Sequence, residues 1–215
     1  MRLAATKSER EARNRLFGLY RRTGLIHVFL RLRWWHANIP GIERLLPRRG
    51  RILDLGCGHG FIANYLALVS PEREVIGVDL SETRIRLADR GLPNVRFVRA
   101  DVLQWSGGTA DGILIADLLH HLNSHEEQEG VLRRAVALLR PGGTLVVKEI
   151  ATRPRWKFCV TTAVDRVFYP QRDYLFLAEE RVLALLRGMG MEAHTVRLDT
   201  FRPLSHVAYV SAGGR

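Results

Sequence analysis

From residue 51 onward, apolar positions fall in short runs separated by stretches of helical spacing. RILDL, EVIGVD, NVRFVRA, DGILIA and GTLVVKEI predict five strands with helices between them. Ser81 and Ser124 stand where helix N-caps are expected, and Glu127, three residues after Ser124, completes a capping box. Gly91-Leu92-Pro93 and Pro141-Gly142-Gly143 mark helix ends and reset the chain for the next strand. Strand and helix in alternation imply right-handed crossovers and a mostly parallel sheet covered on both faces. This is an open, doubly wound α/β architecture that binds ligands beyond the carboxyl ends of its strands. Further on, LAEERVLALLRGMG predicts one more helix ending near Gly188 or Gly190, with the strand-like segments MEAHTVRL and HVAYVS after it.

Before residue 51 the pattern is different. Met1 to about Arg15 is charged and poor in apolar residues, which predicts a frayed or loosely helical arm. Between Leu16 and Leu46 apolar residues recur at helical spacings, among them Leu25, Phe29 and Leu32, with Arg21, Arg22, Arg31 and Arg33 interleaved. One or two amphipathic helices are expected there, punctuated by Pro40-Gly41 and Pro47. The expected division is an N-terminal arm with amphipathic lid helices over 1–47, then one domain over 48–215 with a lid insertion at about 153–176. No internal repeat or low-complexity segment is present.

Composition narrows the class without naming it. At 215 residues, almost half of them apolar, the chain is long enough for one full parallel sheet and has the make-up of a globular protein. No apolar stretch approaches the roughly 18 residues that span a bilayer, and MRLAATKSER has no apolar middle of a signal peptide, so the expected location is the cytoplasm. Cys57 and Cys159 are too few for a disulfide framework and lack metal-ligand spacing, so no metal is expected. The net charge of +11 points toward something anionic, whether nucleic acid, a phospholipid surface or an acidic substrate, and does not choose among them. A solvated arginine face with no partner satisfies it equally well.

The first predicted strand ends in Asp54-Leu55-Gly56-Cys57-Gly58-His59-Gly60, where glycines allow a tight turn and leave the main chain open to close approach by a ligand. Alone, such a turn fits a dinucleotide site or a simple strand-to-helix connection equally well. Its context is more specific. The acidic residue precedes the glycines, and Asp79 ends the next strand, placed to accept hydrogen bonds from two ribose hydroxyls. Asp101, after the third strand, is placed to accept from an adenine amino group.

In these features the chain resembles the class I methyltransferases that depend on S-adenosylmethionine. The DLGCGHG turn, the VIGVDLS strand end, FVRADV, DGILIADLLHHL and LLRPGGTLVVKE occur in that family's order and approximate spacing, covering roughly Arg51 to Ile150. The resemblance implies a seven-stranded, Rossmann-like sheet with an antiparallel edge strand, formed by a final hairpin. It also implies S-adenosylmethionine as cofactor, held by Asp54, Gly56, Cys57, Gly58, Asp79, Leu80, Asp101, Val102, Ala116 and Asp117. Within that set Gly56 and Gly58 line the methionine part, Asp79 holds the ribose, Asp101 with Val102 contacts the adenine, and Asp54 orients the turn. Ala116 to Leu118 pass beneath the methionine part. Cys57 is assigned packing rather than nucleophilic duty.

A sulfonium methyl is already activated, so alignment in a dry pocket is the main demand on the protein. A hydroxyl acceptor adds the need for a base. His120 and His121, just after the fourth strand, are the candidates, with His121 placed first and a packing role open for either. His59 is expected to support the turn, and Glu149 to be salt-bridged. Acceptor recognition is expected from Leu16–Leu46 and Arg153–Phe176, the second carrying Trp156, Phe158, Val160, Val164 and Phe168 among basic residues. Trp34 and Trp35 beside Arg31 and Arg33 suit either a membrane interface or a lid helix packed on the sheet. The leading expectation is methyl transfer to a small-molecule or lipid-like acceptor, at oxygen or carbon. An RNA methyltransferase is the alternative, although Asp117-Leu118-Leu119-His120 replaces an NPPY-like signature, and an inactive cofactor-binding module is a third.

Overall fold

The structure, a computed structural model, describes residues 7–168, 174–199 and 203–213. Three N-terminal helices, α1 (Lys7–Leu19), α2 (Leu25–His36) and α3 (Ile39–Glu43), precede β1 (Gly50–Leu55). The alternating part runs α4 (Phe61–Val69), β2 (Arg73–Asp79), α5 (Glu82–Ala88), β3 (Val95–Arg99), β4 (Ala110–Ala116), a 3₁₀ turn over Leu119–His121, α6 (His125–Ala137) and β5 (Leu139–Ile150). It ends with α7 (Arg155–Phe168), α8 (Glu179–Gly188), β6 (Met191–Arg197) and β7 (His206–Gly213).

All seven expected strands pair into one sheet of order β3-β2-β1-β4-β5-β7-β6. β1 to β5 are parallel, and β7 runs antiparallel to both β5 and β6, so the reversed strand of the edge hairpin lies one place in from the edge. Successive strand side chains point to opposite faces, and both faces are buried. Ile52, Val75, Leu114 and Val146 pack under the α1–α4 side, while Leu53, Ile76, Ile113 and Leu145 pack under the α6 and α8 side. β1 is flanked by β2 and β4, so the chain order reverses beside it, and the crevice beyond the tips of β1 and β4 is where such a sheet binds ligands.

The helix starts carry the expected caps, with one difference. Ser81 Oγ accepts from the Arg84 amide (3.4 Å) and Ser124 Oγ from the Glu127 amide (3.1 Å). The Glu127 carboxylate turns back to the Asn123 amide at 2.9 Å, one residue before the Ser124 amide that a capping box would use. The described part of the N-terminal arm is a docked helix rather than a frayed one. Ala12, Leu16 and, just beyond the helix, Tyr20 recur every fourth residue and are buried, α1 packs on α4, and buried Glu9 takes a bidentate bond from Arg44. Arg73 and Glu43, both fully buried and 3.0 Å apart, fasten the start of β2 to α3.

Candidate active site

The turn after β1 is shaped by left-handed glycines. Gly56 and Gly58 have φ of 77° and 55°, a region that side chains with a Cβ rarely adopt. This lets the Gly56 and Cys57 amides both donate to the Val78 carbonyl (2.8 and 3.0 Å), tying the tip of β1 to that of β2. A Cβ at Gly56 would lie 2.9 Å from the methyls of Leu118, whereas one at Gly58 would enter open space. Asp79, buried at the tip of β2, accepts from the Gly58 amide through Oδ2 and from the Ser81 amide through Oδ1, each at 2.9 Å. The turn is also held from outside, since Tyr20 donates its hydroxyl to the His59 carbonyl at 2.7 Å. His59 supports the turn through its main chain, as expected.

Above the turn lies a cavity of about 530 Å³. Asp54, Gly56, Cys57, Gly58, Asp79, Ala116, Asp117, His120 and His121 all line it, so most of the residues selected from sequence meet in one place. Leu80, Asp101 and Val102 are not part of the cavity wall. Leu80 and Asp101 are exposed, with Asp101 accepting from the Leu103 amide at 2.9 Å, and Val102 is buried in the core beneath them. α2 supplies much of the opposite wall through Phe29, Leu30, Leu32, Arg33, Trp35 and His36, and Val160 reaches it from α7. The two adjacent tryptophans divide their work. Trp34 packs edge-on against Tyr65, with ring centroids 4.8 Å apart, while Trp35 is half exposed at the rim. Within the segment 153–176, residues 169–173 and the side chains of Val164 and Phe168 lie outside the described residues.

Charge is distributed unevenly around the cavity. Burial pushes the Asp54 carboxyl up to about 7, with the Arg33 guanidinium opposing the rise and the negative charge of Asp79 adding to it. Its Oδ2 has no hydrogen-bond partner among the described residues. Asp117, itself left-handed at φ 54°, bonds to the fully buried Lys148 ammonium and, at 2.9 Å, to Arg33. Burial alone would raise its pKa, but these two cations hold it well below the usual carboxylate range. His120 Nδ1 bonds to Glu149, whose other oxygen accepts from the Leu119 amide at 2.8 Å. Burial disfavours the charged ring there, yet the Glu149 carboxylate outweighs it and moves the His120 pKa upward. Glu149 is thus salt-bridged, as expected, and burial of the Cys57 thiol pushes its pKa up, which fits packing rather than nucleophilic duty.

Sequence reasoning missed two members of this wall, His36 and His206, and Lys148, the buried partner of its Asp117. Lys148 was hidden as one letter in the apolar run LVVKEI, although a lone lysine inside a strand buried on both faces signals an ion pair. His36 and His206 carry no local signal and meet only through the fold, with ring centroids 4.7 Å apart. Arg33, read from sequence only as a neighbour of the tryptophans at an interface or on a lid helix, faces Asp117.

A family model described as a methyltransferase domain matches residues 52–143. Trans-aconitate 2-methyltransferase of Acidovorax sp. (strain JS42) is 30% identical over 146 residues, covering 59% of this chain and 55% of that protein. Demethylmenaquinone methyltransferase of Thermus thermophilus is 33% identical over 165 residues, covering 74% of this chain and 66% of its own length. The chain spans about half the length of the trans-aconitate 2-methyltransferases it matches. Among solved structures, human N-acetylserotonin methyltransferase in complex with SAM has the same fold, with a TM-score of 0.69 and 17% identity over 92% of this chain and 58% of that one.

Proposed function

The chain belongs to the class I S-adenosylmethionine-dependent methyltransferases, and from that premise we propose that it transfers a methyl group to a small, largely apolar acceptor at oxygen or carbon. One observation carries this reading. The glycine turn, the carboxylate-anchored His120 and an apolar wall from α2 all face a single continuous cavity.

The residues present fit the cofactor. Gly58 leaves open space where a Cβ would stand, and Asp54 offers a buried oxygen with no partner among the described residues, suited to a cationic group. Asp79, fixed by two amides, keeps lone pairs for ribose hydroxyls. The exposed Leu80 and Asp101 extend the same strand tips and would receive the adenine end, with Val102 beneath them. S-adenosylmethionine, when bound, supplies a methyl group already activated on a sulfonium sulfur. The protein's own part is then alignment and exclusion of water. Leu30, Leu32 and Trp35 from α2, with Val160 from α7, close over the strand tips.

For a hydroxyl acceptor, His120 is the better-supported base of the two adjacent histidines. Glu149 holds Nδ1, which fixes the ring and leaves Nε2 to take the acceptor's proton, while His121 packs beside it at a centroid distance of 4.2 Å.

A lipid-like acceptor drawn from an anionic membrane surface extends this proposal. Leu25, Val28, Leu32 and Trp35 form one exposed stripe on α2, and Trp156 and Val160 are exposed on α7, with Arg21, Arg22 and Arg31 exposed nearby. No helix among the described residues is long and apolar enough to cross a membrane. Anionic vesicles should therefore sediment the protein at low salt and release it at high salt, and absence of sedimentation at low salt would count against this extension.

The transferase reading is tested with methyl-labelled S-adenosylmethionine and a cell extract. Label is expected in the organic-solvent phase, and His120→Gln should lower the rate on the order of a hundredfold for a hydroxyl acceptor. Label confined to RNA would overturn the small-molecule acceptor, and full activity of His120→Gln would remove the base assignment.

A further inference from the structure

His206 opens β7, on the side of the cavity away from Asp79. Three strand spacings, about 14 Å, separate β7 from β1 in the sheet order. The imidazole is 1% exposed, it lines the cavity, and neither ring nitrogen has a hydrogen-bond partner among the described residues. Buried polar groups are ordinarily paired, and leaving both nitrogens of one ring unsatisfied is costly, so the ring is poised for a group that comes from outside the chain. Nearby charges do not fill that role. Lys148 and Arg33 are both directed at Asp117, and His36 meets the ring edge-on.

Burial, followed by the positive charge of Lys148, holds the ring well below its ordinary pKa, so it stays uncharged at neutral pH. An uncharged imidazole presents one N–H and one lone pair. A hydroxyl can pair with either nitrogen, accepting from the N–H or donating to the lone pair. A carboxylate only accepts, and an ammonium only donates. Leu30, Leu32, Trp35 and Leu204 supply the apolar surroundings.

Resting on the methyltransferase reading, we propose that His206 is the acceptor-positioning residue and that the acceptor presents a hydroxyl on an apolar body. His206 donates its N–H to the hydroxyl oxygen and holds it in place, while His120, also on the cavity wall, remains the acceptor of the hydroxyl proton.

The test compares 2-naphthol with naphthalene, two probes of nearly equal shape that differ in the hydroxyl, binding to wild type, His206→Phe and His206→Gln. Wild type is expected to favour 2-naphthol by about tenfold, the worth of one to two net hydrogen bonds. His206→Phe should abolish the preference, and His206→Gln, which keeps a donor and an acceptor, should restore part of it. In wild type labelled with ¹⁵N-histidine, 2-naphthol but not naphthalene should shift the His206 ring resonances, a readout that needs no variant to fold. No preference in wild type, an unchanged preference in His206→Phe, or unmoved His206 resonances would overturn the proposal. Calorimetry of S-adenosylhomocysteine on the same wild-type preparation separates the two readings. Loss of that binding fails the methyltransferase reading, whereas intact binding without a hydroxyl preference fails this one alone.

Discussion

At the glycine end of the cavity, the wall is a glycine-rich turn and two carboxylates drawn from residues 54 to 79. At the histidine end it is made of side chains from α2, the segment after β4, and β7, drawn from residues 33 to 206. The first end is held by hydrogen bonds between neighbouring strand tips, as in the paired amides of Gly56 and Cys57 on Val78. The second is held by a buried ion cluster, Arg33–Asp117–Lys148, and by the His120–Glu149 pair. The glycine end should therefore be sensitive to added atoms, and the histidine end to lost charges.

Removing a charge at the histidine end should give the largest effect. Lys148→Met leaves Asp117 buried with Arg33 as its remaining ion-pair partner and is expected to cost about 3–5 kcal/mol in denaturant unfolding. Adding Asp117→Asn in the same chain should recover most of that loss, because the charge then left without a partner, Arg33, is partly exposed to solvent. If the single variant were as stable as wild type, the cluster would not be holding this wall together. At the glycine end, Asp79→Ala frees the Gly58 and Ser81 amides and should weaken S-adenosylhomocysteine binding by about 1–3 kcal/mol, with global stability less affected. An unchanged affinity would remove Asp79 from the site.

Smaller changes sharpen the contrast. Gly56→Ala places a Cβ in a left-handed residue and against Leu118, and should lower stability by roughly 1–2 kcal/mol through backbone strain. A thermal melt identical to wild type would contradict that geometry. The smallest effect is a proton count. Burial raises the Asp54 carboxyl to about 7, so it is partly protonated near pH 7, and a cationic ligand beside it favours the ionised form and drives the proton off. Calorimetry at pH 7 in buffers of different ionisation enthalpy should show release of less than one proton on S-adenosylmethionine binding, abolished by Asp54→Asn. Proton uptake, or the same release in the variant, would place the ligand's charge elsewhere.

The two ends also differ in how far they could be read from the sequence. The apolar runs of β1, β2, β4 and β5, the caps at Ser81 and Ser124, and the glycines after Asp54 are local signals, and the structure follows them closely. The histidine end depends on which strands become neighbours. Nothing near residue 33 announces a partner at residue 117, and His206 reaches the cavity only because β7 inserts beside β5. The charged arm misled for a related reason. Its arginines mask the fourfold spacing of Ala12, Leu16 and Tyr20, and the burial of Glu9 depends on Arg44, far along the chain. Leu80, Asp101 and Val102 follow the family pattern in sequence, while the cavity itself stops short of them.

The central claim is that the turn over residues 56–58 and the carboxylates beneath it form a nucleoside-sulfonium site. Isothermal titration of S-adenosylhomocysteine into the folded chain tests it most directly. One binding site per chain is expected, with a dissociation constant in or near the micromolar range typical of metabolite enzymes. No heat at saturating ligand across several temperatures, from protein shown to be folded in the same cell, would contradict it.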